Sequence, residues 1–320
     1  MNLVGTDAPL GAATRESFGE ELVALGREHL EIVVVDGDVN NSTYTNKFMK
    51  EFPARFFNCG IAESNMVGVA AGLASCGKVA FVSSFATFLI NNAYEQLRMS
   101  VAFPHLNVKA VGTHAGISIG EDGPSQMAIE DVAAARALAG FVVLVPADER
   151  STRSAVRAAY AHDGPVYLRV GRPKAPIVHP DAVEVRLGKA ITVRDGTDVT
   201  IAANGLLVAA AVGAAERLAA TGVRARVLDM VSTKPLDDGA IATAARETGA
   251  IVVAEEHLHA GGLGSAVAEA AALAAPVPME FVDLGDRYAE SGTPEELMER
   301  YGLTAEGVVR AVERVLARKR

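Results

Sequence analysis

Glu31-Ile32-Val33-Val34-Val35-Asp36, followed at once by Gly37-Asp38, decides the fold. Four consecutive β-branched residues with no polar alternation suit a strand buried on both faces, as in a parallel sheet. Lys78 to Ser83, Val108 to Thr113, Phe141 to Pro146 and Val166 to Val170 repeat the pattern. Helical patterns lie between these runs. Thr14 stands where it can cap a helix whose Phe18, Leu22, Leu25 and His29 share one face. Ile61 to Ser75 carries one charge, Glu63, and is expected to form a helix buried on all sides. This alternation predicts an open parallel sheet covered by helices on both faces.

The rhythm breaks at Gly171 to Leu187, where Pro173, Pro176 and Pro180 and the lack of a period indicate a linker. It then resumes. Val199 to Asn204, Arg224 to Met230, Ile251 to Ala254 and Glu280 to Leu284 are expected strands. Thr293-Pro294-Glu295-Glu296 reads as a capping box with proline at the first helical position. A last helix, Thr304 to Arg320, ends in Arg318-Lys319-Arg320, which suits the negative end of its dipole. The 320 residues thus divide into two α/β domains with open, mainly parallel sheets, 1–180 and 188–320.

Composition narrows the function classes. Half of the residues are hydrophobic and 22% are charged, which excludes a disordered chain or a coiled-coil rod. The longest uncharged stretch, Val199 to Ala215, is broken by Asn204-Gly205 and falls short of the ~20 residues of a membrane span. No basic-then-apolar leader pattern opens the chain, so a cytoplasmic location is expected. Cys59 and Cys76 fit neither a disulfide framework nor a metal spacing. A net charge of −9 argues against a nucleic-acid surface.

Open parallel sheets bind ligands beyond the carboxyl ends of their strands. The segments found there carry the chemistry: Asp36-Gly37-Asp38 to Ser42, then Gly60-Ile61-Ala62-Glu63, then Ser84-Phe85 to Phe88, then His114 through Asp122 to Gln126, and finally Gly171-Arg172. Each has a structural reading as well. A carboxylate such as Glu63 is favoured in a first helical turn. Phe85 and Phe88 suit a core, His114 a satisfied strand end, and Arg172 a surface charge. The loop from His114 to Gln126 is long for a connection inside a compact domain, which favours a function. Two look-alikes are set aside. Asp36-Gly37-Asp38-Val39-Asn40-Asn41 has the elements of a diphosphate–metal motif in the wrong order. Gly261-Gly262-Leu263-Gly264 is not a dinucleotide fingerprint.

Gly60-Ile61-Ala62-Glu63-Ser64-Asn65-Met66 through Ala74 resembles the pyrimidine-binding domain of thiamine diphosphate enzymes of the transketolase group. The likeness continues in Thr113 to Ser125, Ala128 to Asp131, Pro146-Ala147-Asp148 and Gly164 to Arg172. Glu255-Glu256-His257 and Gly261 to Ala266 resemble that group's C-terminal domain. The domain that binds the diphosphate and its Mg²⁺ (or Ca²⁺) has no counterpart here. The resemblance is therefore to the C-terminal subunit of a split transketolase, with an N-terminal subunit as partner in an α2β2 assembly.

What the resemblance implies can be stated residue by residue. Glu63 would hydrogen-bond N1′ of the aminopyrimidine, and Phe85 and Phe88 would pack on that ring. Asp38 would lie near the cofactor and donor. His114, Asp122 and Ser42 would contact substrate, with His114 also catalytic, and Arg15 and Arg172 would grip a sugar phosphate. No metal ligand is expected in this chain. One departure stands out: Gln126-Met127 replaces the family's usual His-Gln, and an amide cannot titrate near neutrality. The expected activity is transfer of a two-carbon ketol unit from a ketose, or its phosphate, to an aldose, with a specialised acceptor or donor suggested by Gln126. Alternatives are the β-type subunit of a 2-oxo acid dehydrogenase, a thiamine-dependent carboligase of secondary metabolism, and a non-catalytic scaffold.

Overall fold

The structure, a computed structural model, describes residues 2–319. Its strands in chain order are β1 (Leu10–Ala13), β2 (Ile32–Asp36), β3 (Phe56–Asn58), β4 (Val79–Phe85), β5 (Val108–Thr113), β6 (Val142–Leu144) and β7 (Val166–Arg169). There follow β8 (Lys174–Pro176), β9 (Ile191–Arg194), β10 (Val199–Ala203), β11 (Ala225–Asp229), β12 (Ser232–Lys234), β13 (Ile251–Ala254) and β14 (Met279–Val282).

The β-branched runs do form a parallel sheet. Its order is β12-β6-β7-β5-β4-β2-β3, and every pair is parallel except the edge pair β12–β6. Alternate residues of β2 bury on opposite faces. Val33 and Val35 pack with Met66, Val67 and Ala70 of the helix Glu63–Ser75. Ile32 and Val34 pack with Phe18, Leu22 and Leu25 of the helix Thr14–Glu28. Full burial of each such side chain contributes about 1.5–3 kcal/mol. The chain leaves β2 towards β3 on one side and returns to β4 on the other. That reversal opens a crevice above the carboxyl ends of β2 and β4.

The second sheet has the order β14-β13-β10-β11-β9, parallel but for its edge strand β9. The molecule thus consists of two mainly parallel α/β units, as the sequence pattern predicts. Thr293 caps the helix Pro294–Arg300 through a capping box, and Thr304 caps the final helix Ala305–Arg318. Arg320, part of the expected basic terminus, lies outside the described residues.

Several expectations need correction. Thr14 is the first residue of its helix and not its cap; its hydroxyl instead accepts the Gly171 N–H at 2.7 Å, tying the helix start to the end of β7. His29 lies past the helix end and stacks on Tyr160 with ring centroids 4.2 Å apart. The helix Glu63–Ser75 is not buried on all sides, because Asn65, Gly68, Gly72 and Ser75 are exposed. Its apolar composition reflects an uncovered face. The linker is not featureless either: β8 within it pairs antiparallel with β1. Neither strand has a sequence signature, since each is only three or four residues long.

The two units are joined through buried charge. Arg169, at the end of β7, donates from Nε to Asp131 at 2.8 Å and from Nη2 to the carbonyls of Ala128 (3.0 Å) and Glu256 (2.9 Å). The Tyr167 hydroxyl adds a bond of 2.6 Å to Asp131. Burial works against the Arg169 charge, but Asp131 and Glu256 outweigh it and hold its pKa above the ordinary arginine value. Breaking a buried pair leaves an uncompensated charge, which typically costs about 3–5 kcal/mol. Arg169→Ala should therefore lower the urea midpoint and Tm sharply. Arg27→Ala, which removes an exposed pair with Glu51, should leave both nearly unchanged. Equal effects of the two substitutions in parallel melts would refute the role given to Arg169.

Candidate active site

Every sequence-predicted site residue except Arg15 lies at or after the carboxyl end of a strand of the seven-stranded sheet. The loop after β2 carries Asp38 and Ser42, and Glu63 opens the helix after β3. Phe85 ends β4 and Phe88 lies in the helix Ala86–Asn92. His114, Asp122 and Gln126 follow β5, and Arg172 follows β7. Arg15 reaches the same edge from the first turn of the helix Thr14–Glu28.

Glu63 is buried, 6% exposed. Among the described residues the Ser84 hydroxyl is its one hydrogen-bond donor, at 3.0 Å to Oε1. Gly37 lies beside the carboxylate; a Cβ there would come within 3.6 Å of Glu63 Oε1. Directly after Ser84 in the chain comes an aromatic wall. Phe85 stacks on His114 with centroids 3.9 Å apart, and Phe88 lies nearly parallel to Phe85 at 6.1 Å.

On the other side of that wall the site is cationic. Arg15 Nη1 donates to the Ser42 carbonyl at 2.9 Å and lies 2.8 Å from His114 Nε2. Its guanidinium sits over the Tyr44 ring, 5.4 Å from the centroid. Tyr44 comes this close because Gly19 has no side chain; a Cβ there would meet the Tyr44 Cβ at 2.5 Å. Arg15 Nε is buried without a partner. Burial and the nearby Arg172 weaken the hold of Arg15 on its proton. Arg172 donates to the Ile119 carbonyl at 2.6 Å and lies 3.6 Å from Asp122.

The network assigns the His114 tautomer. Thr113 Oγ1 donates to the Ser84 carbonyl at 3.3 Å, so it accepts from His114 Nδ1–H at 2.8 Å. Nε2 then keeps its lone pair and accepts from Arg15. Burial, Arg15 and Arg172 together push the His114 pKa down to about 3. Its backbone is strained, with φ +58°, and Asp38 (φ +65°) and Tyr44 (φ +63°) share that condition. Non-glycine residues held there cost about 1–3 kcal/mol each and cluster where function requires them.

Other expected residues stand apart. Asp38 is exposed and accepts from Asn58 at 2.7 Å. Gln126 is half-buried and accepts from the neighbouring Ser125 hydroxyl. The diphosphate-motif look-alike has a structural explanation. Asp36 is buried and accepts from Val39 N–H and the hydroxyls of Thr43 and Thr45, and burial raises its pKa. At the other look-alike, Glu255 accepts the N–H groups of Leu263 and Gly264 at 2.7 Å, filling the helix start with a carboxylate of the chain itself. Ser84, Thr113 and Tyr44 are the site residues that sequence reasoning misses.

A neutral native His114 has a consequence for stability. Unfolding restores an ordinary histidine pKa of ~6.5, so between pH 6.5 and about 3 the unfolded chain binds the extra proton. Stability from this residue is complete above ~6.5 and falls as the pH drops through that window. NMR titration should show the His114 ring neutral at pH 5. A native midpoint near 6.5 would show that burial and the two arginines do not suppress protonation of His114.

Comparison with known proteins places the whole chain. The family "Transketolase, pyrimidine binding domain" matches residues 11–177, and "Transketolase, C-terminal domain" matches 188–308. The 6-deoxy-6-sulfo-D-fructose transketolase subunit of Clostridium sp. (strain MSTE9) is 41% identical over 305 residues, 95% of each chain. An apulose-4-phosphate transketolase subunit of Phocaeicola vulgatus is 41% identical over 297 residues, 92% of this chain and 95% of that protein. A solved structure described as "Split gene transketolase, inactive beta4 tetramer" superposes with a TM-score of 0.89 at 47% identity, covering 97% of this chain and all of that one. With family matches over both units and relatives of this similarity along nearly its full length, the chain belongs to the transketolase family, as its pyrimidine-binding and C-terminal domains.

Proposed function

We propose that this chain is the pyrimidine-binding subunit of a two-chain, thiamine diphosphate-dependent transketolase that acts on sugar phosphates. The observation that carries the reading is the pairing, on one sheet edge, of a buried carboxylate beside an aromatic wall with a two-arginine cluster holding an orphaned donor. The first half fits an aminopyrimidine, a flat ring with basic nitrogens. The second fits a phosphate, for which the planar guanidinium fork is suited.

Thiamine diphosphate, when bound, supplies a thiazolium carbon able to take up and pass on the ketol unit. The residues of this chain would prepare it. Glu63 would hold a proton at N1′ of the pyrimidine, with Ser84 fixing the carboxylate orientation. Phe85 and Phe88 would flank the ring and exclude water. His114, held neutral, would offer a lone pair or an N–H to a substrate hydroxyl according to which of its two contacts it exchanges. Arg15 and Arg172 would receive the terminal phosphate, with Ser42 and Asp122 beside them. Asp38, exposed at the rim, would meet the donor or the partner chain. Diphosphate and Mg²⁺ would be held mainly by the N-terminal subunit in an α2β2 complex. The "subunit" names of the relatives and the "inactive" tetramer of one chain type support the need for a second chain. So does the uncovered surface around the helix Glu63–Ser75, where Ile61 is 84% and Phe103 80% exposed.

Gln126 supports a specialised substrate within this scheme. The amide can hydrogen-bond but not transfer a proton near neutrality. Both relatives named above act, by their names, on unusual ketoses.

Mixing the chain with its diphosphate-binding partner should yield ketol transfer that neither chain shows alone. In the complex, Glu63→Gln should lower turnover by roughly 10²–10⁴ and slow hydrogen–deuterium exchange at cofactor C2. Unchanged exchange would leave Glu63 as a structural helix-start carboxylate. Arg172→Ala should cost about 1.5–3 kcal/mol, read as a raised KM for phosphorylated sugars. An equal effect on free sugars would remove the phosphate inference. Gln126→His should move the acceptor or donor preference; identical profiles over a sugar panel would show that Gln126 does not set specificity.

A further inference from the structure

The loop that carries Asp122 is gripped from below by the other domain. Glu256, just past β13, is 5% exposed, and its Oε1 accepts the Ser118 N–H at 2.5 Å. The loop leaves room for it at Gly116. A Cβ there would lie 2.2 Å from the Glu256 carboxyl carbon, and the backbone has φ +84°. Gly120, with φ +85°, rests on Pro294, and Gly123 on Ser291, so the second domain underlies the whole turn. The Ser118 hydroxyl is buried beside the same carboxylate. Burial raises the Glu256 pKa, while Arg169 opposes that shift.

One residue beyond Ser118, the Ile119 carbonyl accepts from Arg172 at 2.6 Å. Arg172 in turn lies 3.6 Å from Asp122. The path from the Glu256 carboxylate to the Arg172 guanidinium is therefore two hydrogen bonds and the backbone of two residues, Ser118 and Ile119. An acceptor oxygen supplied by the other domain holds the Ser118 N–H, and with it the turn, at a set height.

We propose that Glu256 is a positioning residue: from the second domain it sets the Gly116–Gly120 turn and, through Ile119, the placement of Arg172 and Asp122 for the charged end of the substrate. This rests on the ketol-transfer reading above. Misplacement of a binding group by about 1 Å can cost up to ~10²-fold. The effect belongs on KM, because Arg172 holds substrate and touches no reacting bond.

The test uses three variants. Glu256→Gln keeps the acceptor at Ser118. Glu256→Asp keeps the charge for Arg169 but withdraws the acceptor by one methylene. Glu256→Ala removes both. In the reconstituted complex, Glu256→Asp and Glu256→Ala should raise KM for the ketose phosphate roughly tenfold with little change in kcat, and Glu256→Gln should stay near the wild type. Hydrogen exchange on the full chain should show faster exchange of amides 117–123 in Glu256→Asp and Glu256→Ala only, with the helix Glu63–Ser75 unchanged. Loss of fold in Glu256→Ala leaves the Glu256→Asp comparison to decide. Unchanged loop exchange in Glu256→Asp overturns the grip. Faster exchange with an unchanged KM overturns its role in substrate binding. A complex that forms but transfers no ketol unit from any sugar refutes the ketol-transfer reading, and the exchange data then still decide the grip.

Discussion

One guanidinium, that of Arg169, holds the geometry together. Its charge is buried at the junction of the two units, and three of its hydrogen bonds go to Asp131 and to the carbonyls of Ala128 and Glu256. A buried cation tolerates only a small range of positions, because every displacement leaves either it or Asp131 uncompensated. The carboxyl end of β7, the segment Ala128–Asp131 and the end of β13 are thereby fixed to one another. Arg172 lies three residues beyond Arg169, and the His114–Gln126 loop closes onto Ala128 through the Gly116 N–H at 2.8 Å. The loops of the candidate site are therefore hung from this one charge.

Above that junction the site separates into two chemical halves. The Glu63 side carries one buried carboxylate, Ser84 and stacked aromatic rings. The Arg15–Arg172 side is polar and positive, and it suppresses protonation of His114. Stacking of His114 on Phe85 joins the halves. A neutral imidazole serves this position better than a cation, because a third positive charge between Arg15 and Arg172 would be repelled by both. The strained backbones of Asp38, Tyr44 and His114 mark the same crevice.

How far the sequence reveals this follows from the range of the interactions. The buried parallel strands are legible because short β-branched runs bounded by turn residues favour strand over helix, and the strand-end rule then collects Glu63, Phe85, His114 and Arg172. The edge pieces β1, β8, β9 and β12 are not legible: they are three or four residues long and owe their form to a neighbour distant in sequence. The helix Glu63–Ser75 shows a different failure. Its apolar composition suggests burial on all sides, whereas Asn65, Gly68, Gly72 and Ser75 form an exposed face. Glu256 is the extreme case, lying 138 residues from Ser118. Nothing local in Glu255-Glu256-His257 tells which carboxylate caps a helix and which crosses the domain junction.

The net charge of −9 would repel an anionic sugar phosphate at long range, yet the proposed binding half is cationic. Screening resolves the conflict. At physiological ionic strength the Debye length is about 8 Å, so most of the surface carboxylates are invisible to a ligand already in the crevice. Arg15 and Arg172 act at contact distance: burial has stripped water from Arg15, and Arg172 lies 3.7 Å from Glu121 and 3.6 Å from Asp122, carboxylates a phosphate would have to displace. Selectivity for a phosphate would then arise from desolvated, bonded arginines and not from steering. It would be as good as the loop geometry that aims them, which the chain delegates to a carboxylate in its other domain.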